Sequence, residues 1–339
     1  MIKILIVDDS ALIRSILKQV FSDTDDIVIA GEASNGKSGV EAVRALKPDL
    51  VILDINMPVM DGIESTRIIM AENPCPILIL SSMIDADTSF RACQAGAMDV
   101  MAKPDISQYN DPVFLKNFFT KIRLLGSKSA LKEKSSRLRT DVLRPEEIEK
   151  TNIPEMIVIG ASTGGPKAVR TILSGLPGDL PIPIALVQHL ESGFAEGYRD
   201  WLNGATDLDV VLVNARMKCT GGKVFLAPTD RHIVVDRSGV YPDDGAKVLN
   251  QKPAVDVLFN SASSVFGSKL LGVLLTGMGS DGAMGCLSIV KAGGTTLVQD
   301  EASSVIYGMP KEAAMMGAAS FVVPLDEMAG SILRILKNR

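Results

Sequence analysis

Ile2-Lys-Ile-Leu-Ile-Val7-Asp8-Asp9-Ser10 is the stretch on which the fold turns. Its six leading residues read as a strand, and the acids that stop it stand where a helix N-cap belongs. Ile13, Ile16, Leu17, Val20 and Phe21 then recur at helical spacing. The alternation continues, with strands expected over 27–30, 50–53, 77–80 and 99–101 and helices over 37–46, 62–72 and 87–95. Such a pattern predicts a parallel sheet covered by helices on both faces, doubly wound, over residues 1–125.

Residues 126–154 break the pattern. Gly126-Ser-Lys-Ser-Ala-Leu-Lys-Glu-Lys-Ser-Ser-Arg-Leu-Arg139 is polar and charged, and Pro145, Glu146-Glu147 and Pro154 follow. This is the composition of a linker. A second domain is expected over 155–339, with strands at 156–160, 183–187, 210–213, 224–226, 233–235, 271–275, 295–298 and 321–323. Helices are expected at 166–173, 254–266, 282–291 and 325–336. The reading is again doubly wound α/β, with some antiparallel pairing around 210–235.

At 339 residues the chain has room for about two domains. An apolar fraction of 46% excludes general disorder. No apolar run approaches the roughly 20 residues of a spanning helix, and the run before Asp8 is too short for a signal peptide. The expectation is a cytoplasmic protein without direct membrane insertion. Of the net charge of −5, residues 1–125 carry −5, 126–155 carry +1 and 156–339 carry −1. Without a basic surface, nucleic acid is not an expected partner. Cys75, Cys93, Cys219 and Cys286 are scattered and only His189 and His232 are present, which argues against a zinc site or a disulfide framework.

Ligands of a parallel α/β sheet collect outside the carboxyl ends of its strands. Asp8-Asp9, Asp54, Ser81 and Lys103 each follow or end an expected strand, so all converge on one sheet edge. Three carboxylates so placed need a hard cation among them, and oxygen donors suit Mg²⁺. A hydroxyl and an ammonium beside them fit a transferred phosphoryl group. A helix cap would explain Asp8-Asp9 alone, but not the other three residues.

In the second half, Gly160-Ala-Ser162-Thr-Gly164-Gly165 fits G-x-S-x-G between a strand and a helix. The turn alone suits a nucleotide phosphate as well as a nucleophile. A dinucleotide site would carry an acid at the tip of the next strand, whereas here the tip is Gln188-His189. His189 is a candidate general base for Ser162. Asp281, in the glycine-rich turn Thr276-Gly-Met-Gly-Ser-Asp281-Gly282, is the candidate that orients it. Its alternative role is to cap the helix over 282–291. His232 reads as structural.

Ile4-Leu-Ile-Val-Asp8-Asp9-Ser, Asp49-Leu-Val-Ile-Leu-Asp54-Ile-Asn-Met-Pro58-Val-Met-Asp-Gly62, Leu80-Ser81-Ser82 and Ala102-Lys103-Pro104 resemble a response-regulator receiver domain over residues 1–122. The resemblance implies a flavodoxin-like fold and phosphorylation of Asp54 by a chemotaxis histidine kinase. It implies Mg²⁺ held by Asp9, Asp54 and the carbonyl of Asn56, with Asp8 acting through water. Ser81 and Lys103 would read the phosphoryl group, and the Lys103–Pro104 bond would be cis. Val100 stands where many receivers carry an aromatic switch residue.

Gly160-Ala-Ser-Thr-Gly-Gly-Pro, Val187-Gln-His189, Ala227-Pro-Thr-Asp-Arg-His232, Pro253-Ala-Val-Asp-Val-Leu-Phe259 and Leu275-Thr-Gly-Met-Gly-Ser-Asp281-Gly resemble the catalytic domain of chemotaxis-type protein-glutamate methylesterases. That resemblance implies hydrolysis of γ-glutamyl methyl esters on methyl-accepting chemoreceptors, with deamidation of glutamines a frequent companion. Ser162 would be the nucleophile, His189 base and then acid, and Asp281 its orienter. A backbone N–H near Met278 would serve the oxyanion hole, and the ester chemistry would need no cofactor. Two departures flank the site: Leu190-Glu191-Ser192-Gly193-Phe194-Ala195 replaces the family's x-Pro-x-x-Phe-Thr, and Trp201 stands where an arginine is common. A catalytically altered receptor-binding regulator and a DNA-binding regulator are the competing functions.

Overall fold

The structure is a computed structural model that describes residues 1–22, 24–81, 86–104, 108–127 and 152–337, with backbone alone at 86–89. Its two compact units divide within the stretch between 128 and 151. Most of the expected linker, 128–151, lies outside the described residues.

The first unit alternates β1 (Ile2–Val7), α1 (Ala11–Ser22), β2 (Ile27–Ala33), α2 (Gly36–Leu46), β3 (Leu50–Asp54), α3 (Gly62–Glu72), β4 (Ile77–Ser81), α4 (Ala86–Ala95), β5 (Asp99–Ala102) and α5 (Pro112–Leu125). The strands pair in parallel in the order β2-β1-β3-β4-β5. The order reverses between β1 and β3, so the acids that follow those strands share one crevice. Ile4–Val7 and Leu50–Leu53 are buried on both faces, which is why these strands are continuous apolar runs. Helix starts are set by short polar side chains. Asn35 accepts from Ser38 N–H, Asp61 from Glu64 N–H and Asp111 from Val113 N–H. Helix α5 was not among the expected elements, although Asp111-Pro112 is an N-cap followed by a proline at the first helical position.

The second unit contains β6 (Met156–Ala161), α6 (Gly165–Ser174), β7 (Ile184–Gln188), α7 (Ala195–Asn203), β8 (Asp209–Leu212), β9 (Lys223–Leu226), β10 (His232–Asp236), β11 (Gly239–Asp243), α8 (Val255–Phe266), β12 (Leu270–Leu274), α9 (Ala283–Lys291), β13 (Thr295–Gln299), α10 (Met309–Met315), β14 (Phe321–Val323) and α11 (Leu325–Leu336). Seven strands form a parallel sheet in the order β14-β13-β12-β6-β7-β9-β8. Its central strands are wholly buried. The order reverses between β12 and β6, and the two glycine-rich turns follow these two strands.

The expected antiparallel pairing is displaced. β8 and β9 run parallel inside the main sheet, while β10 pairs antiparallel with β11, a strand the sequence reading did not mark. The connection between β8 and β9 is occupied by pairing of its own: Met217 and Val240 exchange both backbone hydrogen bonds, at 2.8 and 2.9 Å. The chain thus passes beside β11 before returning as β9. No described helix is long and apolar enough to cross a membrane.

Candidate active site and phosphorylation site

Asp8 follows β1, Asp54 ends β3, Ser81 ends β4 and Lys103 follows β5. The structure brings all four to one edge. Lys103 Nζ lies 2.6 Å from Asp54 Oδ2 and 3.0 Å from Asp8 Oδ2, and Lys103 N–H donates to the Ser81 carbonyl at 2.7 Å. One carboxylate oxygen from each of Asp8, Asp9 and Asp54 lies within 4.8 Å of the others. Asp8, Asp54 and Ser81 are buried, whereas Asp9 and Asn56 are exposed. Asp54 Oδ1 accepts the Ile55 N–H at 2.8 Å. Gly62 packs so closely that a Cβ there would come within 2.3 Å of the Asp54 carbonyl oxygen.

Burial pushes the Asp54 carboxyl above the usual range, against the pull of Lys103 and with Asp8 adding repulsion. Burial also opposes the charge on Lys103, but the two carboxylates outweigh it and hold the ammonium above its ordinary value. The Asp8-Asp9 pair does not itself cap α1: Ser10 Oγ accepts the Ile13 N–H at 3.4 Å, and Asp8 Oδ1 accepts the Ser10 N–H at 2.9 Å. Three acids and an ammonium therefore meet beside the end of β4, where a cation and a phosphoryl group would be shared.

In the second unit, β6 and β7 pair Ala161 with Gln188, so Ser162 and His189 follow adjacent strand ends. His189 N–H donates to the Ala161 carbonyl at 2.9 Å, and Ser162 N–H donates to the Thr276 carbonyl at 3.0 Å. His189 Nε2 lies 2.8 Å from Asp281 Oδ2, while His189 Nδ1 is buried without a hydrogen-bond partner. His189 therefore has one ring nitrogen committed to a carboxylate and one without a partner, the arrangement a proton acceptor requires. Among the described residues, no backbone carbonyl accepts from the Thr163 or Met278 N–H.

Asp281 does not cap its own helix. Its Oδ2 accepts the Val255 N–H at 2.7 Å and its Oδ1 the Asp256 N–H at 2.9 Å, both at the start of α8. Asp256 returns the interaction, its Oδ1 accepting from Gly282 N–H at 2.9 Å and Gly285 N–H at 2.7 Å at the start of α9. The motif containing Asp256 carried the family resemblance, but nothing in the sequence singled this residue out. Two further supports were missed. Gln188 Nε2 donates to the carbonyls of Ser162 and His189 at 2.9 and 3.0 Å, tying the two turns together. Thr276 Oγ1 donates to the Thr163 carbonyl at 3.0 Å and accepts the Ile306 N–H at 2.9 Å. Gly277 is required here because a Cβ would stand 2.6 Å from that of Ser162.

His232 is structural, as expected. Its Nδ1 accepts the Ala254 N–H at 3.0 Å and its Nε2–H donates to the Ala246 carbonyl at 2.9 Å. The four cysteines are free, with Cys219 half-buried and the others buried.

Residues 157–332 match the family model described as CheB methylesterase, and residues 4–110 match that of the response regulator receiver domain. The chain belongs to the CheB methylesterase family. A relative in Anaeromyxobacter dehalogenans, named protein-glutamate methylesterase/protein-glutamine glutaminase 2, is 37% identical over 99% of this chain and 97% of its own. A protein of the same name in Methanospirillum hungatei is 38% identical over 100% of this chain and 99% of its own. The crystal structure of the Thermotoga maritima CheB methylesterase catalytic domain shares 32% identity at a TM-score of 0.52. It covers 54% of this chain and 100% of that one.

Against the family's pattern, two expectations change. Trp201 is buried: Tyr198, Trp201 and Leu202 form the apolar face of α7. The Trp201 ring lies 6.1 Å from that of Tyr198 and 5.1 Å from the Arg170 guanidinium. The Trp201 ring thus packs α7 against α6, with the Arg170 guanidinium over its face. The Lys103–Pro104 bond is not cis; the cis bond among the described residues is Lys252–Pro253. The two isomers of an X–Pro bond differ by only about 0.5–1 kcal/mol, and Lys103 reaches both carboxylates from the trans form.

Proposed function

We propose that this chain is a cytoplasmic protein-glutamate methylesterase whose rate is set by phosphorylation of Asp54. The observation that supports it most is the divided histidine, with Nε2 on Asp281 and Nδ1 open, one strand away from Ser162. Ser162 Oγ attacks the γ-carbonyl carbon of a glutamyl methyl ester as its proton passes to His189 Nδ1. Asp281 stabilises the imidazolium through Nε2–H. The oxyanion accepts from the N–H groups of Met278 and Thr163. The tetrahedral adduct then collapses, the methoxy oxygen takes the proton from Nδ1, and methanol leaves an acyl-serine. Water, deprotonated by the same nitrogen, cleaves that ester to give glutamate and free Ser162. A glutamine carboxamide in the same slot would lose ammonia by the same steps.

The donor set of Asp8, Asp9 and Asp54, all oxygen and mutually close, fits Mg²⁺, with the Asn56 carbonyl as a further ligand. When bound, the ion would offset negative charge on the transferred phosphoryl group. Asp54 is the acceptor carboxylate, Lys103 pairs with a phosphoryl oxygen and Ser81 donates to another. A chemotaxis histidine kinase is the phosphodonor, and methyl-accepting chemoreceptors are the substrate. The test is methanol release from a methyl-labelled receptor fragment. Release by the wild type and none by Ser162→Ala is expected, while equal release by both would overturn the assignment.

A further inference from the structure

We infer that Asp256 is a positioning residue of the esterase site, acting on His189 through Asp281. The inference rests on the proposed serine-esterase reading. Two buried carboxylates each cap the helix that carries or follows the other. Asp281 holds the first two N–H groups of α8, and Asp256, one residue into α8, holds Gly282 and Gly285 N–H at the start of α9. Gly285 lets these helices close up, since a Cβ there would lie 2.5 Å from Phe259 Cβ and 3.2 Å from Asp256 Oδ1. His232 secures the same corner by accepting the Ala254 N–H. The carboxylate that orients the base is thus fixed by two backbone donors of α8.

The pairing also has an electrostatic consequence. The titratable groups facing Asp256 are Asp281 and the Cys286 thiol, kept neutral by burial and by the charge of Asp256, with His189 reached through Asp281. Burial, with repulsion from Asp281, raises the Asp256 carboxyl to about 6 against the pull of its two backbone donors. When His189 takes the proton of Ser162, the new imidazolium relieves the repulsion between both carboxylates. Asp256 therefore favours the charged state that develops during catalysis and disfavours the resting one.

Asp256→Asn keeps an acceptor oxygen for Gly282 and Gly285 but removes the charge. Its kcat at pH 8 should fall on the order of tenfold, the effect of about 1.4 kcal/mol, with KM little changed. Below about pH 6 the wild-type carboxyl is itself protonated, so the two kcat profiles should converge there. A residue that only holds the fold would give a constant ratio. Asp256→Ala, which leaves two buried N–H groups unpaired, should lose ~100-fold or more. The downfield proton resonance of the His189–Asp281 hydrogen bond supplies a readout that needs no turnover. It should persist in Asp256→Asn and vanish in Asp256→Ala and in Asp281→Asn. A resonance that persists in Asp256→Ala, or a pH-independent activity ratio in Asp256→Asn, would overturn the inference. An inactive wild type that still shows the resonance and its loss in Asp256→Ala would uphold the positioning role and count against the esterase reading alone.

Discussion

Gly160→Ala would press one methyl group against Val255, whose N–H is held by Asp281. A Cβ at Gly160 in β6 would stand 2.2 Å from Val255 Cγ1, 2.9 Å from Cγ2 and 3.1 Å from Cβ. Rotating the valine cannot relieve this, because both of its methyl groups are already inside contact distance. Val255 is fully buried, and its N–H is the one held by Asp281 Oδ2. The start of α8 must therefore retreat and carry Asp281 with it. Overpacking of this kind costs about 1–3 kcal/mol, and displacement of Asp281 should cut kcat at least ~10-fold. Val255→Ala alone should cost about 1–3 kcal/mol through the cavity it leaves. In the double variant the new methyl enters that cavity, so the two losses should not add, with a coupling of about 1–3 kcal/mol. Trp201 is the sole tryptophan and lies in the second unit, so its fluorescence in urea follows that unit without the receiver. Additive losses, or a Gly160→Ala midpoint equal to that of the wild type, would refute the steric argument.

Asp281→Asn turns its amide against one of the two α8 N–H donors, so it should lower the urea midpoint as well as reduce kcat by about 10³–10⁴, since an amide no longer selects the tautomer with Nε2–H; single-turnover acylation measures the kinetic loss. Asp256→Asn should unfold at higher urea than the wild type at pH 8. The folded carboxyl sits at about 6 against an ordinary 3.8, so its ionisation costs the folded state up to about 3 kcal/mol above pH 6. Loss of helix-dipole support offsets about 1 kcal/mol. The advantage should shrink as pH falls through 6 and vanish below about 3.8, and urea midpoints across that range check it. EDTA should abolish labelling of Asp54 by a small acyl phosphate, and Asp54→Ala should do so with Mg²⁺ present, as read by retardation on phosphate-affinity gels.

Much of the fold and of both sites was legible because strand tips carry the chemistry. Asp8, Asp54, Ser81 and Lys103 could be placed together once four short apolar runs were read as parallel strands, and Ser162 with His189 followed from the next two. Asp281 was legible as a turn acid but not as the cap of α8, because that contact joins segments 26 residues apart. Asp256 was hidden for the same reason. It lies within an apolar helical stretch, and its partners, Gly282 and Gly285, have no side chains to signal the contact. Helix α7 escaped because its polar residues outnumber a short buried face, and β11 because Gly239 and Pro242 are poor strand formers. The parallel course of β9 depends on the detour past Val240, which no local pattern encodes.

The central claim is that Ser162 hydrolyses receptor methyl esters under the control of Asp54. Methanol release from methylated chemoreceptor, with and without a small phosphodonor and Mg²⁺, tests it most directly in wild type, Ser162→Ala and Asp54→Ala. Release should require Ser162, and the phosphodonor should raise it only when Asp54 is present. Stimulation that survives Asp54→Ala, or release that survives Ser162→Ala, would contradict it.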